Sequence, residues 1–274
     1  MSQPTRRSLL HGAAGALTLG TAWAHAQNSG SVSLTVLSYN IHHGEGTDGV
    51  IDLQRIANVV RPFNADFVAL QEVDRNTGRA NGVDQAQLLA DLLDMPVVFG
   101  KALDFDGGQY GNALLTRHKI VSSVSHVIPH SEGREPRIVL EAETVIDSRV
   151  GAMEIPLRVL VTHLDHMPGD VDRLAAVEVI ARVAETRGGV PMILAGDLNA
   201  TPDSEPLSRL RENWLIAGDG ETLPTIPVAA PSRQIDYILC SPPERWRAVE
   251  TLVPGDAEAS DHRPIASALE LRSA

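Results

Sequence analysis

The chain has 274 residues, 43% of them apolar and 21% charged, with a formal net charge of −12. That length and composition support a large buried core and exclude a wholly disordered or collagen-like chain. The acidic balance, with no dense Lys/Arg run, argues against a protein that grips nucleic acid mainly through its phosphates, so nucleic acid is a partner that the charge does not favour.

Residues 1–26 read as a twin-arginine export signal. Thr5-Arg6-Arg7-Ser8-Leu9-Leu10 precedes an uncharged stretch from His11 to Ala24 rich in Ala, Gly and Leu, and Ala24-His25-Ala26 supplies a small-x-small cleavage site. The apolar stretch is too short and Gly-rich for a comfortable bilayer span, so no transmembrane anchor is expected after cleavage. Removal takes away Arg6 and Arg7 and no acid, moving the formal charge from −12 by two to −14. The expected mature chain, residues 27–274, is one domain, monomeric, and periplasmic or secreted. The lone cysteine, Cys240, falls in an apolar strand-like run and reads as a buried structural thiol.

In chain order, Ser33 to Asn40 alternates as a strand and is followed by a Gly-rich loop, His42-His43-Gly44-Glu45-Gly46. That loop reads equally as a specificity loop or as a flexible turn. Asp52 is an N-cap for a helix running to about Arg61, stopped by Pro62. Asp66 to Glu72 is a second strand, and Asp84 to Leu93 a second helix. From Pro96 to Thr144 the pattern is strands with short turns, an antiparallel stretch. Pro156 to Thr162 is a β-branched run ending in His163-Leu164-Asp165-His166, and Asp170 opens the longest helix, which closes at Gly188-Gly189. The strand over 190–196 ends in Asp197 and Asn199, which at a spacing of two project to one face. A short helix over Leu207 to Leu210, a strand over Gln234 to Leu239 with Asp236 inside it, a strand from Arg247 to Val253, and Ser260-Asp261-His262-Arg263-Pro264 before a closing strand complete the pattern.

Taken singly, a polar residue at a strand end needs no more than a satisfied hydrogen bond to explain it. Recurrence changes that reading: Asn40, Glu72, His163, Asp165, Asp197, Asn199, Asp236, Asp261 and His262 all lie at or near strand ends, where rigid strands present side chains to open loops. Carboxylates and amides without cysteines suit a hard cation such as Mg²⁺ or Mn²⁺. Histidines beside carboxylates suit acid–base work. Zinc would draw on His42, His43, His163 and His166, but no helical His-Glu-x-x-His or paired-cysteine spacing accompanies them.

Seven segments in this order carry a resemblance: Ser38-Tyr39-Asn40-Ile41, Leu70-Gln71-Glu72-Val73-Asp74, Tyr110-Gly111-Asn112-Ala113-Leu114-Leu115-Thr116-Arg117, Thr162-His163-Leu164, Gly196-Asp197-Leu198-Asn199, Ile235-Asp236-Tyr237 and Ser260-Asp261-His262-Arg263-Pro264. Together they resemble the endonuclease/exonuclease/phosphatase superfamily, which includes pancreatic-type deoxyribonuclease, abasic-site endonucleases, neutral sphingomyelinases and inositol polyphosphate 5-phosphatases. The resemblance runs from about residue 34 to 270. It implies an α/β fold, a four-layer αββα sandwich of two mixed, largely antiparallel sheets, and a divalent-metal-dependent phosphoester hydrolase. By motif, Asn40 and Glu72 hold the metal with support from Asp261, and Asp197 orients or deprotonates the attacking water. Asn199 contacts the phosphate or positions that water, His262 faces the phosphate oriented by Asp236, and His163 is the leaving-group acid. Asn112, Arg75 and Tyr110 stand on the phosphate or substrate side.

The substrate stays open at this point. Arg75, Arg79, Arg134 and Arg137 form either a phosphate-facing patch suited to a nuclease or scattered surface charge. A sphingomyelinase- or phospholipase C-like lipid diesterase would want an exposed aromatic loop, and aromatics are only 4% of residues. A catalytically silent binder of a phosphorylated ligand is the non-enzyme alternative, and it has no need of Asp197 and both histidines.

Overall fold

Alternation in the first strand sorts its side chains onto two apolar faces: Leu34 and Val36 on one, Leu37 and Tyr39 on the other, all fully buried. A strand covered on both sides belongs at the centre of a layered fold. The computed structural model describes residues 31–148, 153–186, 188–255 and 258–273, so the export signal read in residues 1–26 lies outside the described residues.

The elements are β1 (Ser31–Asn40), α1 (Leu53–Val60), β2 (Phe67–Arg75), α2 (Gln85–Leu93), β3 (Val97–Phe105), β4 (Gly108–Thr116), β5 (Lys119–Ile128), β6 (Arg137–Ser148), β7 (Met153–His163), α3 (Val171–Glu185), β8 (Met192–Asp197), α4 (Glu205–Arg211), β9 (Leu215–Ile216), β10 (Asp236–Ser241), β11 (Trp246–Leu252) and β12 (Ile265–Arg272). They build two six-stranded sheets, ordered β11-β12-β1-β2-β4-β3 and β5-β6-β7-β8-β10-β9. Helix starts follow their caps: the carboxylates of Asp52 and Asp84 accept from the backbone N–H of Arg55 and Gln87.

Three apolar cores separate the layers. Leu34, Val36, Phe67 and Leu114 of the first sheet meet Leu140, Val161, Ile193 and Ile238 of the second. The outer face of the first sheet packs on Ile56 and Val60 of α1 and Leu89 of α2. The outer face of the second packs on Ile180 and Val183 of α3 and Leu207 of α4. The result is a helix–sheet–sheet–helix sandwich, as the motif order implied. Cys240 lies in the inter-sheet core, where burial pushes its thiol up and leaves it inert.

Three boundaries differ from the sequence reading. The stretch from Pro96 to Thr144 is antiparallel strand, but it straddles both sheets: β3 and β4 belong to the first and β5 and β6 to the second. The hairpin of β3 and β4 is longer than its apolar pattern because the largely exposed segment Lys101 to Phe105 extends it to Asp106-Gly107. Asp236 does not sit inside a strand. It is the first residue of β10, paired antiparallel with Asp197, the last residue of β8.

Each sheet also holds one parallel pair joined through a helix, β1-α1-β2 and β7-α3-β8. Parallel strands end at the same edge, and open α/β sheets bind ligands outside those carboxyl ends. Asn40, His163 and Asp197 are the last residues of β1, β7 and β8, and Glu72 lies three residues before the end of β2. Antiparallel β10 starts at this edge, and the loop carrying His262 leads into β12, antiparallel to β1.

Candidate active site

At the end of β1, Asn40 is 1% exposed and its Nδ2 donates to two carboxylates, Glu72 Oε1 at 2.9 Å and Asp197 Oδ2 at 3.1 Å. Its Oδ1 accepts from the backbone N–H of His42 at 3.1 Å. Asn40 thus ties one sheet to the other and aims Glu72. Glu72 sits in a β-bulge: Leu70 pairs with Ala113 and Val73 with Gly111, so Gln71 and Glu72 both oppose Asn112. The bulge puts Glu72 at φ 59°, in the left-handed region that a non-glycine residue adopts only when its surroundings enforce it. Asn112 is 3% exposed on β4 directly across from it.

Asp197 Oδ2 is the hub of the opposite half. Besides Asn40, His163 Nε2 lies 3.5 Å and His262 Nε2 3.7 Å from it. Oδ1 accepts from the backbone N–H of Asn199 at 2.9 Å, and Asn199 (φ 46°) anchors its own Nδ2 on the carbonyl of Leu164 at 3.1 Å. Gly196 explains how the two strand ends approach: a Cβ there would lie 2.0 Å from the Thr162 carbonyl oxygen.

Burial and charge set the three titrating groups apart. Burial lowers the pKa of His262, but Asp236, with Oδ2 2.8 Å from Nδ1, overcomes this and raises it to about 10. His262 is therefore an imidazolium at neutral pH. Burial and then the charge of Asp236 raise Asp197, against the opposing pull of His262 and the hydrogen bonds from Asn199 and Asn40. His163 goes the other way. Burial and then Arg137, His262 and His166 hold it well below the usual histidine value.

The last result bears on the role expected of His163. Arg137 Nη1 lies 2.9 Å from His163 Nδ1, and a guanidinium only donates, so Nδ1 carries the lone pair and Nε2 the proton. A neutral histidine in that tautomer donates a hydrogen bond toward Asp197.

Two other expected residues stand apart from the cluster. Arg75 pairs with Asp84 at 3.0 Å and lies over the Phe99 ring. Asp261 accepts from Ser260 Oγ at 3.3 Å and belongs to neither grouping of ligand atoms found among the described residues, which are His42/His43/Glu72 and Asp197/Asp236/His262. Its charge acts instead through His262, which it helps keep protonated. Tyr110 is 8% exposed with its hydroxyl against Arg137, and burial followed by the charge of Glu72 raises its pKa, so it stays a neutral phenol. Asp165 turns away, toward Arg134 at 3.6 Å.

Three supporting residues escaped the sequence reading. Thr225 Oγ1 donates to Asp236 Oδ2 at 2.6 Å, and Ser260 Oγ donates to the Asn40 carbonyl at 2.8 Å. Arg137 is one of the four arginines that the sequence leaves open between a phosphate-facing patch and scattered surface charge, yet it is 4% exposed and held against His163. At the strand period of two it shares a face with Val139 and Glu141, a mixed face with no plain inward or outward sign. Only the covering layer shows that this face is buried.

Comparison with known proteins agrees with this geometry. The model of the Endonuclease/Exonuclease/phosphatase family matches residues 37–262, most of the chain. The chain belongs to this family. A relative from Escherichia coli (strain K12), the uncharacterized protein YbhP, is 26% identical over 253 residues, covering 87% of this chain and 97% of that one. The crystal structure of an endonuclease/exonuclease/phosphatase from Beutenbergia cavernae DSM 12333 is similar with a TM-score of 0.72 and 27% identity, over 88% of this chain and 72% of that one. A mannosyl-6-phosphatase from Bacteroides thetaiotaomicron VPI-5482 shares the fold with a TM-score of 0.70 and 18% identity, over 86% and 99% of the two chains. Members of the family are hydrolases of phosphoester bonds.

Proposed function

We propose that this family member is an exported, divalent-metal-dependent hydrolase of small phosphoesters, a phosphatase or phosphodiesterase that works by in-line attack of water on phosphorus. The observation that carries the reading is the convergence of Asn40, Glu72, Asp197 and His262 from both sheets onto one edge, with Asp197 Oδ2 as the shared point. Phosphoryl transfer needs positioning and neutralisation of charge more than covalent chemistry, and these residues divide that work.

Asp197 accepts the proton of the attacking water, positioned through Asn40 and the Asn199 N–H. His262, kept cationic by Asp236, neutralises charge on the phosphoryl oxygens. His163, held neutral by burial and by Arg137, points its Nε2–H toward Asp197 Oδ2 and helps place that carboxylate, and Asn112 offers its carboxamide beside Glu72. The donor set around Glu72, a half-buried carboxylate held by an amide, fits a hard divalent ion such as Mg²⁺ or Mn²⁺. When bound, that ion adds Lewis-acid neutralisation of the phosphoryl group.

A small substrate is favoured over nucleic acid because the four arginines considered for a phosphate patch are spent on carboxylates: Arg75 on Asp84, Arg79 on Asp74, Arg134 on Asp165 and Asp172, and Arg137 on Glu135. Export rests on Arg6-Arg7 and the leader they open. The test is a panel of p-nitrophenyl phosphate, bis-p-nitrophenyl phosphate, sugar and inositol phosphates, sphingomyelin and plasmid DNA, assayed with Mg²⁺ or Mn²⁺ and with chelator. Chelator-sensitive turnover of small phosphoesters supports the reading. Turnover of DNA or sphingomyelin alone replaces the substrate class, and no metal-dependent turnover on any member favours a silent binder.

A further inference from the structure

The loop leaving β1 carries two adjacent histidines that the chemistry above does not use. One ring nitrogen of His42, one of His43 and a carboxylate oxygen of Glu72 lie within 4.8 Å of one another. Ligands of a tetrahedral zinc-class ion, at bonds of about 2.1 Å, stand about 3.4 Å apart, so modest side-chain rotation closes this set.

The loop is built to hold that arrangement. His42, His43 and Glu72 have φ of 46°, 43° and 59°, three non-glycine residues in the left-handed region gathered at one place. Gly44 follows at φ 79°, where a Cβ would strike Leu53 Cδ2 at 2.7 Å, and Gln85 Nε2 donates to the His43 carbonyl at 2.7 Å.

Glu45 orients both rings. Its carbonyl oxygen lies 3.2 Å from His42 Nδ1, and its Oε2 lies 3.3 Å from His43 Nε2. Acceptors at those atoms fix the proton there and leave a lone pair on the other nitrogen of each ring, the relation that metal-ligating histidines have with their supporting carboxylates and carbonyls. His43 is 7% exposed and its Nδ1 has no hydrogen-bond partner among the described residues. A buried ring nitrogen left unpaired is uncommon unless something else engages it.

We infer that His42, His43 and Glu72 form a three-ligand site for a zinc-class divalent ion, with Glu45 orienting both imidazoles. Imidazole donors suit zinc, cobalt and nickel better than magnesium, and three protein ligands leave a coordination position open to solvent or substrate. The inference shares Glu72 with the magnesium-type ion of the proposed function, but it is tested without any turnover.

The metal-free full-length protein is titrated with Co²⁺ as a spectroscopic stand-in for zinc. The expected result is a visible d–d absorption band that saturates at one equivalent, persists in excess Mg²⁺ and is displaced by one equivalent of Zn²⁺. His43→Ala and His42→Ala should each remove the band and weaken Zn²⁺ binding by at least about tenfold, and Glu45→Gln should weaken it to a smaller degree. Half-buried His42 and Glu45 serve as folding-tolerant variants, with circular dichroism confirming the fold. No Co²⁺ band in the wild type, or an unchanged band in folded His42→Ala, overturns the inference. Either outcome leaves the phosphoesterase assay free to succeed or fail separately.

Discussion

At the residue scale, the site works by giving chemically similar groups different charge states. Two buried imidazoles flank one carboxylate oxygen, yet Asp236 keeps His262 cationic against its burial, while burial and then Arg137 keep His163 neutral. A histidine whose folded pKa is raised stabilises the fold fully below its unfolded value near 6.5. That contribution is lost as the pH climbs through the folded value of about 10. Activity that depends on the imidazolium should therefore hold through mildly alkaline pH and fall near pH 10. In Asp236→Asn the basic limb should move down by roughly 2–3 units, because burial then acts without its counter-charge. A pH–rate profile checks this, and an unmoved basic limb contradicts the pairing. Glu72 and Asp197 were legible in the sequence because each ends an apolar run, and Asp236 because it interrupts one. Arg137 and Thr225 were not, since one shares a mixed face of β6 with Val139 and the other lies in an irregular segment that gives no periodic signal.

At the element scale, close strand approach matters as much as the ligands. Gly196 lets β8 run against β7 so that His163 and Asp197 pair in register. A side chain there meets backbone rather than a movable side-chain tip. Gly196→Ala should destabilise the protein by at least about 2 kcal/mol and separate His163 from Asp197. Urea unfolding measures the first effect, and wild-type stability in this variant would contradict the account. Helix starts at Asp52 and Asp84 were readable because capping is a local signal. The bulge at Glu72 was not, since it depends on which strand lies opposite. Asp236 was placed inside a strand because the apolar run begins at Ile235, whereas pairing with β8 sets the true start of β10.

At the scale of the whole molecule, two β-α-β units bring four strand ends to one edge, and the inter-sheet core sets the distance between the metal-facing half and the water-facing half. Motif order implied two packed sheets, but the partition of strands between them was not legible, because alternation shows that a strand is buried and not which sheet holds it. Fully buried Ile238 faces that inter-sheet core from β10. Ile238→Ala should cost about 2–5 kcal/mol, and as β10 begins at Asp236 the loss should lower turnover as well as stability. Thermal melts alongside kcat check both parts.

Burying Asp197 with no full counter-ion raises its pKa, so the fold carries an ionised carboxylate at a cost that grows as pH rises from its unfolded value toward the folded one. A residue kept at a cost to stability should gain stability and lose function when neutralised. The most direct measurement is Mg²⁺- or Mn²⁺-dependent hydrolysis of bis-p-nitrophenyl phosphate by Asp197→Asn beside the wild type at pH 8, with Tm recorded for both. The account predicts a loss of kcat of about 10²–10⁴-fold together with a Tm higher by about 2–6 °C. Near-normal turnover by the folded Asp197→Asn protein would contradict it.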